Sequence, residues 1–154
     1  MSKRTIKFGK WNNKPMGWNV LYEDDFKMLV ISGTSIGNME YSDSYYANWV
    51  GSGIRKYLND KFWNETFTED EKRKIMNTKL NDVNTKDNIF LISKDEAIKY
   101  LSSDDFTTGE CCWTRTRYGN LVIYFYFYDG SITCFGNKPY RYDYEIYPMM
   151  FLKK

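Results

Sequence analysis

The sequence contains no histidine, three cysteines and three prolines among its 154 residues. Without histidine it lacks the commonest general base and the commonest metal ligand. Three cysteines, of which Cys111 and Cys112 are neighbours, give no disulfide framework and no CxxC pair. They read as three reduced thiols in a cytoplasmic protein. No run approaches the roughly 20 apolar residues of a membrane span, and the start, MSKRTIKFGKW, lacks a signal-peptide core. Net charge is only +2, with acids and bases interleaved as in Glu69-Asp70-Glu71-Lys72-Arg73-Lys74. That charge is too small to imply a nucleic-acid partner, although rings can stack on bases.

What the chain has in abundance is aromatic rings, 19% of the residues. Such rings dominate both cores and recognition surfaces. Eight of the fourteen tyrosines fall between Cys111 and Met150. Within that stretch Leu121, Ile123, Phe125 and Phe127 alternate with Tyr124, Tyr126 and Tyr128, which places the two sets on opposite faces of a strand. The first set reads as core. The tyrosine face is either a second packing face, each cross-strand ring pair contributing about 0.2–1 kcal/mol, or a rigid amphipathic recognition surface.

The length fits one domain, residues 1–154. Thr5–Phe8, Trp18–Tyr22 and Phe26–Ser32 read as a three-stranded meander, the first two joined by a turn over Gly9–Pro15 and the third buried on both faces. Gly33–Val50 has no period and reads as a long loop, with Tyr41, Tyr45, Tyr46 and Trp49 as packing anchors. A helix begins at Ser52, with Ile54, Tyr57, Leu58 and Phe62 on one face and a break at Asn64-Glu65-Thr66. Thr68 with Glu71, and Ser93 with Glu96, are capping boxes. They start one helix running to about Met76 and another with apolar positions Ala97, Ile98 and Leu101. Asn77–Asn88 reads as loop, and Ile89–Ile92 as a strand. Leu121–Tyr128 turns at Asp129-Gly130 into Ser131–Phe135, Gly136–Pro139 turns again, and Glu145–Leu152 ends the chain with Pro148 marking an edge strand. The fold class is α+β, small antiparallel sheets with two to three short helices.

Four blocks resemble one bacterial and phage domain family. IKFGKWNNKPMGWNVL…MLVIS is similar to FGxYxxxPIxWxVL…LLIS, and SGIRKYLNDKFWNETFTEDEKRKI to SxLRxWLNxxFxxxFxxxEKxxI. TKDNIFLISKDEAIKYL is similar to DKxFLLSxxEAxxYx, and CWTRT…YDGSI…IYPMM to WWLRS…DGxV…VRPAL. The family resembles the C-type-lectin-like architecture shared by formylglycine-generating enzymes and by phage receptor-binding proteins. That resemblance implies paired N- and C-terminal strands, two flanking helices and a partner-binding surface in the C-terminal half. The chain departs from the pattern in three places. Tyr147 stands where the family has Arg, which removes the means for a buried salt bridge. Cys112-Trp113 replaces a Trp pair, and Thr116-Arg117-Tyr118-Gly119 replaces Ser-Pro-Gly.

The activities of that architecture are not carried over. Calcium-dependent sugar binding needs a Glu-Pro-Asn or Gln-Pro-Asp loop followed by Trp-Asn-Asp. Trp63-Asn64-Glu65 and Trp18-Asn19-Val20 lie in the wrong regions. Cys111, Cys112 and Cys134 lack the spacing of a copper-holding pair. Glu110, Asp129, Asp143 and Glu145 have plainer roles at turns and strands than as a hydrolytic pair. The expectation is a non-enzymatic binding module with no metal, cofactor or catalytic residue. Its candidate binding residues are Trp113, Arg115, Tyr118, Tyr124, Tyr126, Tyr128, Tyr140, Arg141, Tyr142 and Tyr144. A protein partner is expected, with a glycan or small molecule as the alternative. The Lys/Asn/Tyr-rich coding style points to an AT-rich bacterium or its phage, and a small free-standing binder of that origin fits an anti-CRISPR-like inhibitor of a host defence protein.

Overall fold

The structure, a computed structural model, describes residues 3–43, 48–106, 109–140 and 142–154. It is α+β, built from mostly antiparallel sheets and a few short helices. β1 (Thr5–Trp11), β2 (Lys14–Glu23) and β3 (Lys27–Ser32) form the expected meander. Its first turn is tighter than Gly9–Pro15. Only Asn12 and Asn13 turn, both with positive φ, and Trp11 pairs with Lys14. That is the two-residue hairpin geometry which asparagine tolerates. Leu29–Ser32 is buried throughout, as a strand covered on both faces should be, whereas Phe26 is exposed in the preceding turn.

After the two-residue strand β4 (Asn38–Met39), Tyr41 and Trp49 are fully buried, so these rings of the long loop are core. Tyr45 and Tyr46 lie outside the described residues. Ser52 caps α1 (Gly53–Tyr57), its hydroxyl accepting from the Arg55 N–H. The helix does not break at Asn64. A π-helical turn over Leu58–Phe62 carries it into α2 (Trp63–Thr66), keeping Ile54, Leu58 and Phe62 buried. Both capping boxes are formed, starting α3 (Glu69–Lys74) and α4 (Lys94–Tyr100). Ile98, expected on the apolar face of α4, is exposed.

Asn77–Asn88 is not a plain loop but a small hairpin, β5 (Thr78–Leu80) and β6 (Thr85–Asp87), turned by Asn84 at positive φ. Ile89–Ile92 is fully buried yet is not a strand of a sheet. Phe90 alone bridges to Met149, with its N–H 3.0 Å from the Met149 carbonyl and the reverse bond at 2.8 Å. A short apolar run is ambiguous by periodicity, and here burial produced the run.

β7 (Cys112–Tyr118), β8 (Leu121–Tyr128) and β9 (Ser131–Asn137) follow, with Asp129-Gly130 turning as expected. They join β4 and β10 (Tyr144–Glu145) in a five-stranded sheet ordered β4-β10-β7-β8-β9, in which β10 and β7 are parallel. β11 (Met149–Lys153) begins directly after Pro148 and occupies the edge of the first sheet, β1-β2-β3-β11. The C-terminal strand thus returns to the N-terminal meander through β3, not β1. Among the described residues no helix is long and apolar enough to cross a membrane.

The bulge of β1 turns on Gly9, whose φ is +74° and where an added Cβ would lie 2.8 Å from the buried Phe67 ring. Its N–H also donates to Glu71 Oε2 at 2.9 Å. A Gly9→Ala variant faces both backbone strain and a clash. Urea denaturation should show a loss of about 1–3 kcal/mol.

Candidate functional site

Arg115 is 4% exposed and lies at the centre of a polar network. Its Nε and Nη2 fork onto Asp82 at 3.0 and 3.2 Å, on the β5–β6 turn. Nη1 donates at 2.7 Å to the Leu91 carbonyl and at 2.7 Å to Glu96 Oε1. The same Glu96 oxygen accepts the Ser93 N–H that starts α4. Phe90 packs against the guanidinium face, Cζ to ring centroid 5.5 Å. Burial works against the charge on Arg115, but Glu96 and Asp82 outweigh it and hold the pKa above its ordinary value.

A second network centres on Asp87, buried at the end of β6. Its Oδ2 accepts from Trp49 Nε1 and Thr85 Oγ1, both at 2.7 Å, and its Oδ1 from Arg55 Nε at 2.8 Å. Asn59 on the π-helical turn accepts from the Asn88 and Ile89 N–H groups, both at 3.0 Å. Helix, hairpin and the buried 89–92 segment are thereby tied together.

Tyr147, where the resembled pattern has Arg, donates its hydroxyl to Glu110. Burial and then Glu110 push the phenol above its ordinary pKa. A neutral donor on a carboxylate therefore stands where a salt bridge was expected to be lost.

The ring face is built on β7, β8, β9 and β10. Register places Trp113 opposite Tyr124 and Tyr124 opposite Phe135. Trp113 is fully buried, its indole N–H donating to the Met39 carbonyl at 2.9 Å. Tyr144 covers it at 4.6 Å between centroids, and Tyr124 meets Tyr144 at 4.6 Å. Tyr124 stacks on Tyr126, Tyr126 on Phe135 and Tyr142 on Tyr144. Asn137 Nδ2 donates to the Tyr144 hydroxyl at 2.7 Å, fixing that ring from the side. Burial and the neighbouring Tyr144 push Tyr124 up to about 12, so it stays a neutral phenol.

The ten candidate residues therefore divide. Trp113 and Arg115 are interior and are taken out of any contact surface. Tyr124, Tyr126, Tyr142 and Tyr144 come together, and Tyr128 continues the row at 63% exposure. Tyr118 is exposed but pairs with Leu121, whose side chain belongs to the opposite face, so it does not join the cluster. Tyr140 sits half-buried in the turn before β10, and Arg141 lies outside the described residues. Phe135, 54% exposed, is the missed member. Its place opposite Tyr124 follows from counting across the Asp129-Gly130 hairpin, a signal already present in the sequence.

The opposite face departs from strict alternation. Phe125 and Phe127 are buried, but Leu121 and Ile123 are only half-buried, and Val122 on the tyrosine side is fully buried. β7 carries a register shift between Trp113 and Arg117, and α4 packs against both β7 and β8. Cover at this end of β8 is thus not set by face alone.

Clefts lie away from the rings. One of about 780 Å³ runs between the Met39–Asp43 segment, α1 and the β5–β6 hairpin. Another of about 600 Å³ lies between Asn48–Val50, the β5–β6 turn and Arg115–Arg117. The second takes Arg115–Arg117 of β7 and the end of the long loop as walls, but no tyrosine of the ring face lines either cleft. Cys112 is buried, and Cys111 and Cys134 are half-buried. Burial raises all three thiols above their ordinary pKa.

Residues 20–125 match the family described as a domain of unknown function, DUF6273. The chain belongs to the DUF6273 family. No curated protein and no solved structure matches it. The DUF6273 match runs from β2 to the middle of β8 and includes Arg55, Asn59, Asp82, Asp87, Glu96 and Arg115. It ends at Phe125, before Tyr126, Tyr128, Phe135, Tyr142 and Tyr144. Both buried networks fall inside the DUF6273 match, and most of the ring face falls beyond it.

Two outcomes follow from this geometry. Arg115→Ala leaves Glu96 with a single partner here and the Leu91 carbonyl unpaired, while half-exposed Asp82 turns to water, and denaturation should show a loss of about 1.5–3 kcal/mol. Arg115→Lys keeps the charge without the fork and should recover only part of it. In thiol titration at pH 8, Cys111 and Cys134 should react slowly and Cys112 only after denaturant is added. Rates should climb as pH passes 9, because the raised pKa values leave little thiolate below it.

Proposed function

We propose that this DUF6273 chain is a non-enzymatic binding module that takes a protein partner on the face formed by Tyr124, Tyr126, Tyr128, Phe135, Tyr142 and Tyr144. The observation that carries the proposal is the stacked, half-exposed ring row over buried Trp113. Rings held by one another lose little entropy on binding, and the exposed Tyr128 and Tyr142 offer hydroxyl-tipped rings to a polar partner. Phe135 and Tyr142 are exposed members of a row linked ring to ring through Tyr124, Tyr126 and Tyr144, and Tyr128 adds an exposed ring further along β8, the kind of exposure that interaction sites show. A glycan or small-molecule ligand is the less supported reading, because the rings form a flat row and do not line the clefts described above.

The finer fold reading is a C-type-lectin-like one. The return of β11 to the N-terminal sheet, the short helices and the late mixed sheet are in keeping with it. That architecture places partner-binding surface in the C-terminal half, where the ring face lies. The biological reading is a phage- or mobile-element-encoded inhibitor of a host defence protein, acting in the cytoplasm. Three cysteines that form no disulfide suit a reducing compartment.

The test is a Tyr126→Ser, Phe135→Ser double variant measured against a partner identified by affinity capture from the host. Binding should weaken by at least about 30-fold, the hot-spot scale, with the melting temperature little changed. Unchanged affinity in a folded variant removes this face.

A further inference from the structure

The small net charge conceals an asymmetry. Residues 1–22 carry five cations and no carboxylate, while the other 132 residues carry three more acids than bases. Two of those cations are committed, Lys3 to Asp105 at 2.7 Å and Arg4 to Glu23 at 2.9 Å. Among the described residues Lys7, Lys10 and Lys14 have no ion pair, so the β1–β2 hairpin carries its charge unneutralised.

This hairpin also walls a cleft of about 520 Å³, within the size range of small-ligand pockets. Its lining includes Lys7, Lys14, Trp11, Asn12, Asn19 and Thr34 and contains no carboxylate. By register Lys7 and Gly17 share one face of the hairpin and Trp11 and Lys14 the other, and the cleft takes its lining from both. The Lys7 ammonium lies 3.3 Å from where a Cβ on Gly17 would stand, so the absence of a side chain there gives the cation its place. Glu65 and Glu71 line a separate cleft that Lys7 and Pro15 also border. Glu71 is already engaged by the Thr68 and Gly9 N–H groups.

We propose that this cleft binds a nucleotide, free or within a single strand, with phosphate between Lys7 and Lys14 and the base against the Trp11 indole. Two point charges suit a phosphate without demanding fixed geometry. A base stacks on an aromatic ring whatever its identity. Asn12, Asn19 and Thr34 supply amide and hydroxyl partners for sugar or base edges. A bare inorganic anion would leave the indole and most of the cleft unused. The average charge too small to imply a nucleic-acid partner comes from offsetting this hairpin with an acidic remainder. The site is separate from the ring face and does not depend on it.

The probes are a fluorescently labelled ten-residue oligo-dT, followed by anisotropy at 50–200 mM salt, and unlabelled AMP as competitor. Lys7→Glu with Lys14→Glu should weaken oligo-dT binding at least tenfold. Each neutral replacement, Lys7→Gln or Lys14→Gln, should lower the log–log salt slope by about 0.7. Trp11→Ala should weaken binding by about tenfold. Because Trp11 also packs on the core, Gly17→Leu, which fills the cleft from a strand of ordinary φ, gives an independent variant and should abolish binding. The ring-face double variant should bind as the wild type does. Displacement by AMP assigns a mononucleotide site; lysine- and Trp11-dependent binding that AMP does not displace assigns a single strand. The proposal is overturned by no binding of either probe at 50 mM salt, by binding insensitive to all these variants, or by poly-glutamate competing as well as oligo-dT, which would mean charge alone.

Discussion

One buried guanidinium constrains more of this molecule than any other group. Arg115 cannot leave water without partners, since an uncompensated interior charge costs several kcal/mol. Its partners come from three places: the β5–β6 turn, the start of α4 and the Leu91 carbonyl. Because its own N–H also bonds the Ile92 carbonyl at 3.0 Å, β7 is pinned beside a segment that belongs to no sheet. The 89–92 segment in turn bridges to Met149 at the start of the last strand. The two sheets are thus joined through a short irregular stretch whose carbonyls are taken up by Asn59, Met149 and Arg115.

The Asp87 network does the same for the helical side, binding α1 and the Trp49 end of the long loop to the β5–β6 hairpin. These networks and the helix caps account for many of the polar letters in the sequence blocks that carry the family resemblance. Ser52 and Ser93 cap helices, Asn59 holds backbone, and Arg55, Asp87, Glu96 and Arg115 are ion-paired. Such residues specify how the pieces dock, and once satisfied they are unavailable to a ligand. Function is better sought outside these networks, and the ring face and the basic hairpin are both made largely of residues that the networks do not use.

Local signals were legible in the sequence, and long-range ones were not. The capping boxes and the Asp129-Gly130 turn involve residues within a few positions of one another, and both formed as read. The tyrosine row of β8 was legible because one side of the strand is partly wet. β7 was hidden because Cys112, Trp113, Thr114 and Arg115 are all buried, which erases alternation. Arg115 read as a surface anchor because its partners, Asp82 and Glu96, are 33 and 19 residues away in sequence. Ile89–Ile92 read as a strand because complete burial writes the same apolar run whether or not a ladder forms. Phe135 was within reach, needing only the register already fixed by the hairpin.

Both ion-paired networks lie outside the β8–β9 hairpin that carries most of the ring face, so that hairpin is held by its own ladder and its ring contacts. Native-state amide hydrogen exchange measures this directly, because it gives each backbone bond its own opening free energy. The N–H groups of Phe90, Arg115 and Met149 should exchange only through global unfolding, and those of Tyr126, Tyr128 and Thr133 in the β8–β9 hairpin through a smaller, cheaper opening. Exchange of the hairpin amides as slow as that of Arg115, or slower, would contradict the account and make the ring face part of the core.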